Sequence, residues 1–332
     1  MKKFLTVILC AVLCVISAMA FTACGKKESG ELTVFMPDGA PALSMARLMH
    51  EQPDFGRKVN YRVVDSSEIN SCVTYADETK NADLCVLPVN AASKLLGSGE
   101  RYKMLGTVTH GNLFIASASE KEELTRENFA ESIQSAKVGV VNLPAFPGAV
   151  FKLLLEKYSA TATLENVAPT AVSGVQSEYD YFVIPEPAAS TRAGNAKLNL
   201  KIVGDLQTLY GDNGYPQAVL VAKNSLIESD PEFISAFKEK MGAAATWLLS
   251  EEVSAETIIS AISANYADPE NTKPAFTAQQ LTKTVIENCA VSFVDCRHDY
   301  CVEGVTAFLN ELKAAGDAAA TPVADGFFYR GI

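Results

Sequence analysis

Histidine and tryptophan are scarce in this chain, with three and one occurrences among 332 residues. None of the histidines lies in a recognisable catalytic triad, and the sequence contains no GxSxG elbow, P-loop, GxGxxG or HExxH motif. These absences argue against serine hydrolases, nucleotide-binding enzymes and zinc proteases. We therefore expect a protein that is not an enzyme and that uses no cofactor and no metal.

Basic residues are also few, because 28 Lys and Arg face 39 Asp and Glu and leave a net charge of -11. An acidic surface repels phosphate backbones, so we expect no nucleic-acid partner. Beyond the first two dozen residues no apolar run approaches the 18 that a membrane span requires. The length favours one large or two medium-sized domains.

The first 23 residues have the pattern of an export signal. Lys2 and Lys3 form a positive segment, and residues 4–16 are almost entirely apolar. This apolar run is too short for a comfortable membrane span, and no stop-transfer pattern follows it. The segment 1–23 is therefore predicted to be a signal peptide rather than part of the fold.

Two cleavage patterns compete at the end of this signal. Ala18-Met19-Ala20 fits ordinary secretion, whereas Phe21-Thr22-Ala23-Cys24 resembles a bacterial lipobox in which Cys24 carries the lipid. Residues 24–30 are polar and suit a tether. The favoured interpretation is a lipoprotein anchored to the outer side of the cell membrane, with simple secretion as the alternative.

Five cysteines remain after the leader and Cys24, and an odd number cannot all pair within one chain. Three of them lie near His298, but their spacing lacks the CxxC pairs of zinc sites. A metal cluster is therefore disfavoured, while a local Cys296–Cys301 disulfide and free buried thiols both stay open. The five are Cys72, Cys85, Cys289, Cys296 and Cys301.

An internal repeat is the most informative feature of the chain. Residues 83–93 and 180–190 are identical at six of eleven positions. Each copy is a short apolar run that ends in proline and continues into small helix-forming residues. This pattern predicts a buried parallel strand, a turn at its carboxyl end and a helix.

A weaker pair of segments supports the duplication. Residues 32–37 lead through a Gly/Pro loop into a helical pattern at 42–51, and residues 138–144 lead similarly into one at 149–158. The sequence therefore predicts two similar α/β units. Because ligands of open α/β sheets bind outside the carboxyl ends of the strands, these loops are expected to line one shared cleft.

Two further strand-like runs, at 113–117 and 218–222, are candidate crossovers between the units. The first unit is then discontinuous. We expect lobe 1 to comprise residues 31–112 and 216–332, and lobe 2 to comprise residues 113–215.

The chain resembles the type II periplasmic binding proteins of ABC importers, and within them the nitrate, sulfonate and thiamine-precursor group. The resemblance covers nearly all of the chain beyond the leader, in the family's order. Its matching segments are Met36-Pro37-Asp38-Gly39-Ala40-Pro41-Ala42-Leu43, Leu87-Pro88-Val89-Asn90-Ala91-Ala92, His110-Gly111-Asn112-Leu113, Phe146-Pro147-Gly148, Pro185-Glu186-Pro187-Ala188, Tyr215-Pro216-Gln217 and Asp325-Gly326-Phe327-Phe328-Tyr329.

The resemblance implies an α/β fold of two similar lobes, with mixed sheets flanked by helices and joined by two crossover strands. It also implies a monomer that closes around a small molecule and delivers it to an ABC permease and its ATPase. The residues expected to bind the ligand are Asp38, Gly39, Ala40, Asn90, His110, Gly111, Asn112, Phe146, Pro147, Gly148, Glu186 and Tyr215. Asp38 could equally be a turn former, Glu186 a solvated acid and His110 a structural hydrogen-bonding residue.

Two acids near the cleft favour a neutral or cationic heterocycle, such as a thiamine-precursor-like pyrimidine, over a sulfonate or nitrate. Phe146 and Tyr215 would stack on its ring. A ligand-sensing lipoprotein and a vitamin-precursor enzyme on the same fold are the alternative functions. If the site is assigned correctly, Asp38→Ala or Glu186→Ala abolishes the thermal shift that the ligand produces.

Overall fold

The computed structural model describes residues 30–331, and the predicted signal peptide, Cys24 and nearly all of the tether lie outside this range. Eleven strands of the described chain form two sheets. Sheet A has the order β11-β4-β10-β3-β1-β2, and sheet B has the order β7-β6-β8-β5-β9. The strands are β1 Leu32–Pro37, β2 Val59–Val64, β3 Leu84–Pro88, β4 Tyr102–Thr109, β5 Leu113–Ala118, β6 Ala136–Val141, β7 Ala162–Val167, β8 Tyr181–Pro185, β9 Leu200–Asp205, β10 Ala218–Lys223 and β11 Val291–Asp295.

Helices cover both sheets, and the long ones belong mainly to the parts of the chain that form sheet A. None of the helices in residues 30–331 is long and apolar enough to cross a membrane. The α-helices are α1 Ala40–Glu51, α2 Val89–Leu96, α3 Phe129–Ile133, α4 Phe146–Lys157, α5 Ala188–Ala193, α6 Leu206–Tyr210, α7 Asn224–Ser229, α8 Pro231–Met241, α9 Ala244–Leu249, α10 Ala255–Ser263, α11 Lys283–Asn288 and α12 Asp299–Ala314.

The two sheets share one topology. In sheet A, β1 pairs in parallel with β2 and β3, and β10 lies antiparallel between β3 and β4. In sheet B, β6 pairs in parallel with β7 and β8, and β5 lies antiparallel between β8 and β9. Even the register agrees, because Pro88 faces Ala218 and Pro185 faces Leu113. The predicted duplication is therefore confirmed as a duplication of fold.

The aspartate that begins each repeat explains part of this likeness. Asp83 Oδ2 accepts a hydrogen bond from the Thr33 amide at 2.8 Å, and Asp180 Oδ2 accepts one from the Lys137 amide at 2.9 Å. Each bond joins the start of the second parallel strand to its neighbour. Backbone bonds from the two aspartate amides, to Thr33 O and Lys137 O, complete the same pair in both sheets.

The two predicted crossover strands are β5 and β10. Each becomes the antiparallel strand near the middle of one sheet, directly after the chain has passed over from the other. The passages themselves are the short segments 110–112 and 211–217. The lobe boundaries proposed at 112/113 and 215/216 fall within or next to these segments and stay a prediction.

One hydrophobic core runs from sheet A into sheet B. Alternate residues of β3 point to opposite faces, so Leu84 and Val86 pack under α1 while Cys85 and Leu87 join the larger core with α2 and α12. That larger core continues into β6, β8 and α4 of sheet B. Strands buried on both faces explain the continuous apolar runs in the sequence.

All five cysteines of the described chain are buried free thiols that form no disulfide in the structure. Residues 30–331 contain no group of three His, Cys, Asp or Glu side chains arranged to hold a metal.

Candidate functional site

A cavity of about 640 Å³ lies between the two sheets, at the carboxyl ends of their parallel strands. Ser66 follows β2, Pro88 ends β3 and Asn142 follows β6, so both sheets contribute to its wall. We call this cavity the cleft. It is lined by residues 66, 69–70, 88, 90–91 and 94 on one side, by 142–147, 149 and 152 on the other, and by 315–319 after α12.

Helix α2 supplies two polar residues of the sheet A wall, Asn90 and Lys94. Asn90 in its first turn is 6% exposed, and its Nδ2 donates to Asp317 Oδ2 at 2.7 Å. Lys94 lies four residues further on and therefore on the same face of the helix. The bond from Asn90 ties the segment after α12 to the cleft wall.

The sheet B wall is the loop 142–145 together with the first turns of α4. This loop crosses the helix so closely that a Cβ on Gly148 would lie 1.9 Å from Leu143 O, so only glycine fits there. Asn142 adopts a φ of 63°, and its neighbour Leu143 donates its amide to Asn166 Oδ1 at 2.9 Å. Phe146 begins the helix and lines the cleft. The amino end of α4 is thereby fixed at the cavity, where its dipole favours negative charge.

The cleft carries an excess of positive charge. Lys94 and Lys152 line it from opposite walls, both are exposed, and neither forms an ion pair within residues 30–331. The acid in the lining, Asp317, is already engaged, because its Oδ2 accepts from Asn90 and its Oδ1 accepts from the Ala319 amide at 2.8 Å. An anionic group would complement this arrangement.

A second cavity, of about 660 Å³, lies beside the amino-terminal half of α12. His110 lines it, and its Nε2 lies 2.8 Å from Thr107 Oγ1. Burial lowers the pKa of His110 below its ordinary value. Tyr210 and Cys301 line the same cavity.

An aromatic cluster lies between the cleft and the second cavity. Phe308 of α12 stacks on Tyr215 with ring centroids 5.1 Å apart, and it also contacts Phe146 and Tyr210. Tyr215 is 1% exposed, burial raises its pKa, and its hydroxyl has no hydrogen-bond partner in the described chain. The ring that was predicted to stack on a ligand thus stacks on Phe308.

The first predicted loop is occupied by contacts within the protein. Asp38 Oδ1 accepts from the Gly39 amide at 2.7 Å, and its Oδ2 accepts from the Ala275 amide at 2.8 Å and from the Tyr266 hydroxyl at 3.2 Å. Ala40 begins α1 and is 1% exposed. None of residues 38–40 lines the cleft or the second cavity. The structure therefore supports the turn-forming alternative for Asp38.

Glu186 joins the two sheet regions instead of facing solvent. It is 5% exposed, its Oε1 accepts from Asn288 Nδ2 at 2.6 Å and from Ser190 Oγ at 2.5 Å, and its amide donates to Asn112 O. Gly111 is packed against α11 and the turn after it, where a Cβ would lie 2.8 Å from Asn288 O.

Asn112, with a φ of 93°, is held by Gln217 Nε2, which donates to its Oδ1 at 2.9 Å. This contact joins the two segments by which the chain passes between the sheets. Residues 111, 112 and 186 therefore form the junction of the two sheet regions and do not line the cleft.

Of the twelve predicted site residues, the structure brings Asn90, Phe146 and Pro147 together in the cleft, with Gly148 in the same helical turn. His110 lies in the second cavity. Sequence reasoning missed several polar residues of the lining. They are Ser66, Asn70, Lys94, Asn142, Lys152 and Asp317. The spacing of four between Asn90 and Lys94 could have identified one of them.

No protein-family model matches the sequence, and no curated protein matches it. Solved structures do match. An ABC transporter protein from Parabacteroides distasonis aligns with a TM-score of 0.68 at 19% identity, over 90% of this chain and 98% of that one. The periplasmic aliphatic sulphonate-binding protein SsuA from Escherichia coli aligns with a TM-score of 0.64 at 12% identity, over 91% and 92%.

A third structure, from Candida albicans, is described as having the generic periplasmic binding protein fold. It aligns with a TM-score of 0.53 at 12% identity, over 90% of this chain and 92% of that one. These likenesses establish that the chain has the periplasmic binding protein fold, as the sequence predicted.

Proposed function

We propose that the protein is an extracytoplasmic, lipid-anchored solute-binding protein. It captures a small organic molecule in the cleft and delivers it to the permease and ATPase of an ABC importer. The observation that carries this proposal is the cleft itself, in which two sheets of one topology direct the carboxyl ends of their parallel strands toward one cavity. Ligands of open α/β sheets bind at such ends.

The charges of the lining support an anionic ligand. The sequence argument for a neutral or cationic heterocycle depended on Asp38 and Glu186, but both carboxylates accept hydrogen bonds within the protein and neither lines the cleft. The lining instead holds Lys94, Lys152 and the amino end of α4. We propose a small carboxylate, sulfonate or phosphate whose apolar part packs on Phe146.

The two sheet regions are proposed to close around the ligand, and contacts between them already exist in the structure. Glu186 bonds Asn288, and Gln280 Nε2 lies 3.4 Å from Thr191 Oγ1. A ligand that contacts α2 and α4 together stabilises only the form in which the two walls are close. Its differential affinity for that form is what favours closure, and the closed form is what an importer would recognise.

Native mass spectrometry of the purified protein tests the binding function directly, followed by a thermal-shift screen. Ligand that binds the folded state alone raises the melting temperature by mass action. The probes are alkanesulfonates, short carboxylates, phosphate esters, neutral pyrimidines and cationic pyrimidines. We expect the anions to give the shift, and a shift from the cationic pyrimidines alone would overturn the assigned ligand charge.

Three single variants locate the site. Lys94→Ala and Lys152→Ala each remove one cation from the cleft, and we expect each to weaken binding of the best anionic probe about tenfold, or about 1.4 kcal/mol. Lys240→Ala removes an exposed cation of α8 that does not line the cleft, and it is the matched control. Equal losses of affinity in all three variants would mean that the lysines act through the overall charge of the protein and not by contacting a ligand in the cleft.

The remaining alternatives differ in what happens to the ligand and to the protein. An enzyme alters a bound molecule, so recovery of the unchanged probe after long incubation argues for a binding protein. Uptake of labelled ligand in cells that lack the protein, with and without the restored gene, distinguishes import from sensing. The proposed anchor is tested with Cys24→Ala, which is expected to release the protein from the membrane fraction.

A further inference from the structure

Two cysteines lie close together at the edge of the second cavity. Cys296 follows β11 and Cys301 lies in the first turn of α12. Between them the chain makes two successive turns, in which His298 N donates to Asp295 O and Cys301 N donates to His298 O. These turns place both side chains in the same core cluster, close enough that each thiol is the largest influence on the pKa of the other.

The two thiols differ in their access to solvent. Cys301 is 4% exposed and lines the second cavity, whereas Cys296 is fully buried behind it and does not line the cavity. In its thiol form, Cys301 Sγ donates to Val294 O at 3.3 Å. A reagent that enters the cavity would therefore meet Cys301 first, with Cys296 in the core cluster beside it.

The hydrogen bonds around the two thiols also indicate that Cys301 reacts before Cys296. Donation from Cys296, and then from Thr107, lowers the pKa of Cys301 even though burial opposes this change. The same contact and burial raise the pKa of Cys296. Because the thiolate is the nucleophile in disulfide exchange, Cys301, which lines the cavity, is also the more reactive thiol of the pair.

We propose that Cys301 and Cys296 form a dithiol site that reacts with a small organic disulfide entering the second cavity. The Cys301 thiolate attacks one sulfur of the disulfide RSSR, forms a mixed disulfide and releases one thiolate RS⁻. Cys296 then loses its proton and attacks Cys301 Sγ, which forms the Cys296–Cys301 disulfide and releases the second RS⁻. The two protein thiols are oxidised, and one RSSR is reduced to two RSH.

The other three cysteines of the described chain lack this combination. Cys85 and Cys289 are fully buried in the cores of the sheet A region. Cys72 is 2% exposed, and burial raises its pKa to about 11. None of the three lines the second cavity. Cys72 therefore provides a matched control, since it is about as buried as Cys301 but is held in the thiol form.

The test treats the reduced, folded protein with 2-hydroxyethyl disulfide and follows the products by intact mass and peptide mapping. We expect a Cys296–Cys301 disulfide to form while Cys72, Cys85 and Cys289 stay reduced, and dithiothreitol should reverse it. Cys296→Ser should stop the reaction at one mixed disulfide on Cys301. Cys301→Ser should slow the loss of the first thiol at least tenfold, and Cys72→Ser should leave that rate unchanged.

Two results would overturn the proposal. One is that Cys72 reacts first in the wild-type protein, and the other is that the folded Cys296→Ser variant gains no adduct on Cys301. Circular dichroism melting of each variant shows whether it is folded. If Cys296→Ser does not fold, the comparison of Cys301→Ser with the wild-type protein still decides the outcome.

Discussion

Five strands of sheet A have the same pairing and register as the five strands of sheet B, but the residues that follow equivalent strands have different tasks. After β3 the chain continues with Val89, which is 1% exposed, and with Asn90, which lines the cleft. After β8 the residue equivalent to Val89 is Glu186, a buried carboxylate that bonds Asn288. Topology therefore determines where a loop lies, and the side chains of the loop determine whether it lines the cleft or links the two sheet regions.

The sheets also differ in how they are covered. Sheet A has a sixth strand, and a second core cluster forms on the face that carries α1 and α8–α11. On the outer face of sheet B the corresponding cluster is small, with nine buried residues and only the short helix α5. We therefore expect that substitutions in the sheet A region change stability more than equivalent substitutions in sheet B, unless they affect the cleft.

The largest expected effect is an exception of that kind. Gly148→Ala places a Cβ against Leu143 O, and the backbone has to move, so we expect a loss of about 3 kcal/mol in the free energy of unfolding. At Gly39, in the equivalent loop after β1, the nearest atom would be 3.8 Å away but φ is 98°. Gly39→Ala is therefore expected to cost only about 1 kcal/mol. Urea unfolding measures both.

Gly304→Ala is the control for these glycine substitutions. Gly304 lies within α12 and a Cβ there would meet nothing within 4 Å, so alanine should stabilise the helix by about 0.5–1 kcal/mol. If Gly148→Ala and Gly39→Ala were equally destabilising, the close crossing of the loop over α4 would not be the cause.

The next effect concerns the link at Glu186. Glu186→Val introduces the residue that stands at the equivalent position after β3, Val89, and leaves Asn288 Nδ2 and the Ser190 amide without their acceptor. Unpaired buried donors cost about 1–3 kcal/mol, so we expect a loss of about 2 kcal/mol in stability. Affinity for the best ligand should fall as well, because the closed form loses a contact.

Glu186→Gln retains one acceptor and should lose about half as much. Calorimetry of ligand binding to both variants, beside their unfolding curves, provides the measurement. If Glu186→Val lost the expected stability while its affinity for the ligand stayed unchanged, Glu186 would support the fold without favouring closure.

The two aspartates that begin the repeats provide a smaller and more direct comparison. Asp83 has a 22% exposed side chain and also pairs with Lys223 at 3.2 Å, whereas Asp180 is 46% exposed and lies 3.7 Å from Lys121. Since exposed pairs contribute little, we expect Asp83→Ala to cost about 2 kcal/mol and Asp180→Ala about 1 kcal/mol. Equal values in denaturant unfolding would contradict the predicted difference between the sheets.

The sequence was sufficient for the fold because its signals are local. The Asp and Pro residues that bound each repeat determine where a buried strand starts and ends, and the structure has β3 and β8 at those places. The lining of the cleft was harder to predict. Asp317 and Lys152 reach it through the packing of α12 and α4, and no spacing in the sequence shows that these helices meet.

The two acids that were predicted to bind the ligand raise a related difficulty. Asp38 and Glu186 do follow parallel strands, as ligand-binding acids often do. Their partners, Ala275 and Asn288, come from segments about 240 and 100 residues further along the chain. Whether a carboxylate is available for a ligand depends on such distant donors, and these are visible only in the folded protein.

The smallest predicted effect concerns the two segments by which the chain passes between the sheets. The segment 110–112 contains His110, whose pKa burial lowers from 6.5, while the acid in the segment 211–217 is the exposed Asp212. The folded state binds fewer protons at His110 than the unfolded state does, so the free energy of unfolding falls as the pH drops from 6.5 toward the lowered value.

This pH dependence of stability measures the contribution of the segment 110–112. Well above pH 7 the histidine is neutral in both the folded and the unfolded state and contributes no slope. Between pH 7 and 5 the free energy of unfolding of the wild-type protein should fall with pH, with a slope that corresponds to uptake of up to one proton on unfolding. His110→Gln should lose that part of the slope while keeping a hydrogen-bonding side chain beside Thr107. Glu303 and Tyr210 line the same cavity and are unchanged in the variant, so the difference between the two slopes reports His110 alone. Identical slopes would mean that folding leaves the pKa of His110 unchanged, which would contradict the predicted effect of burial.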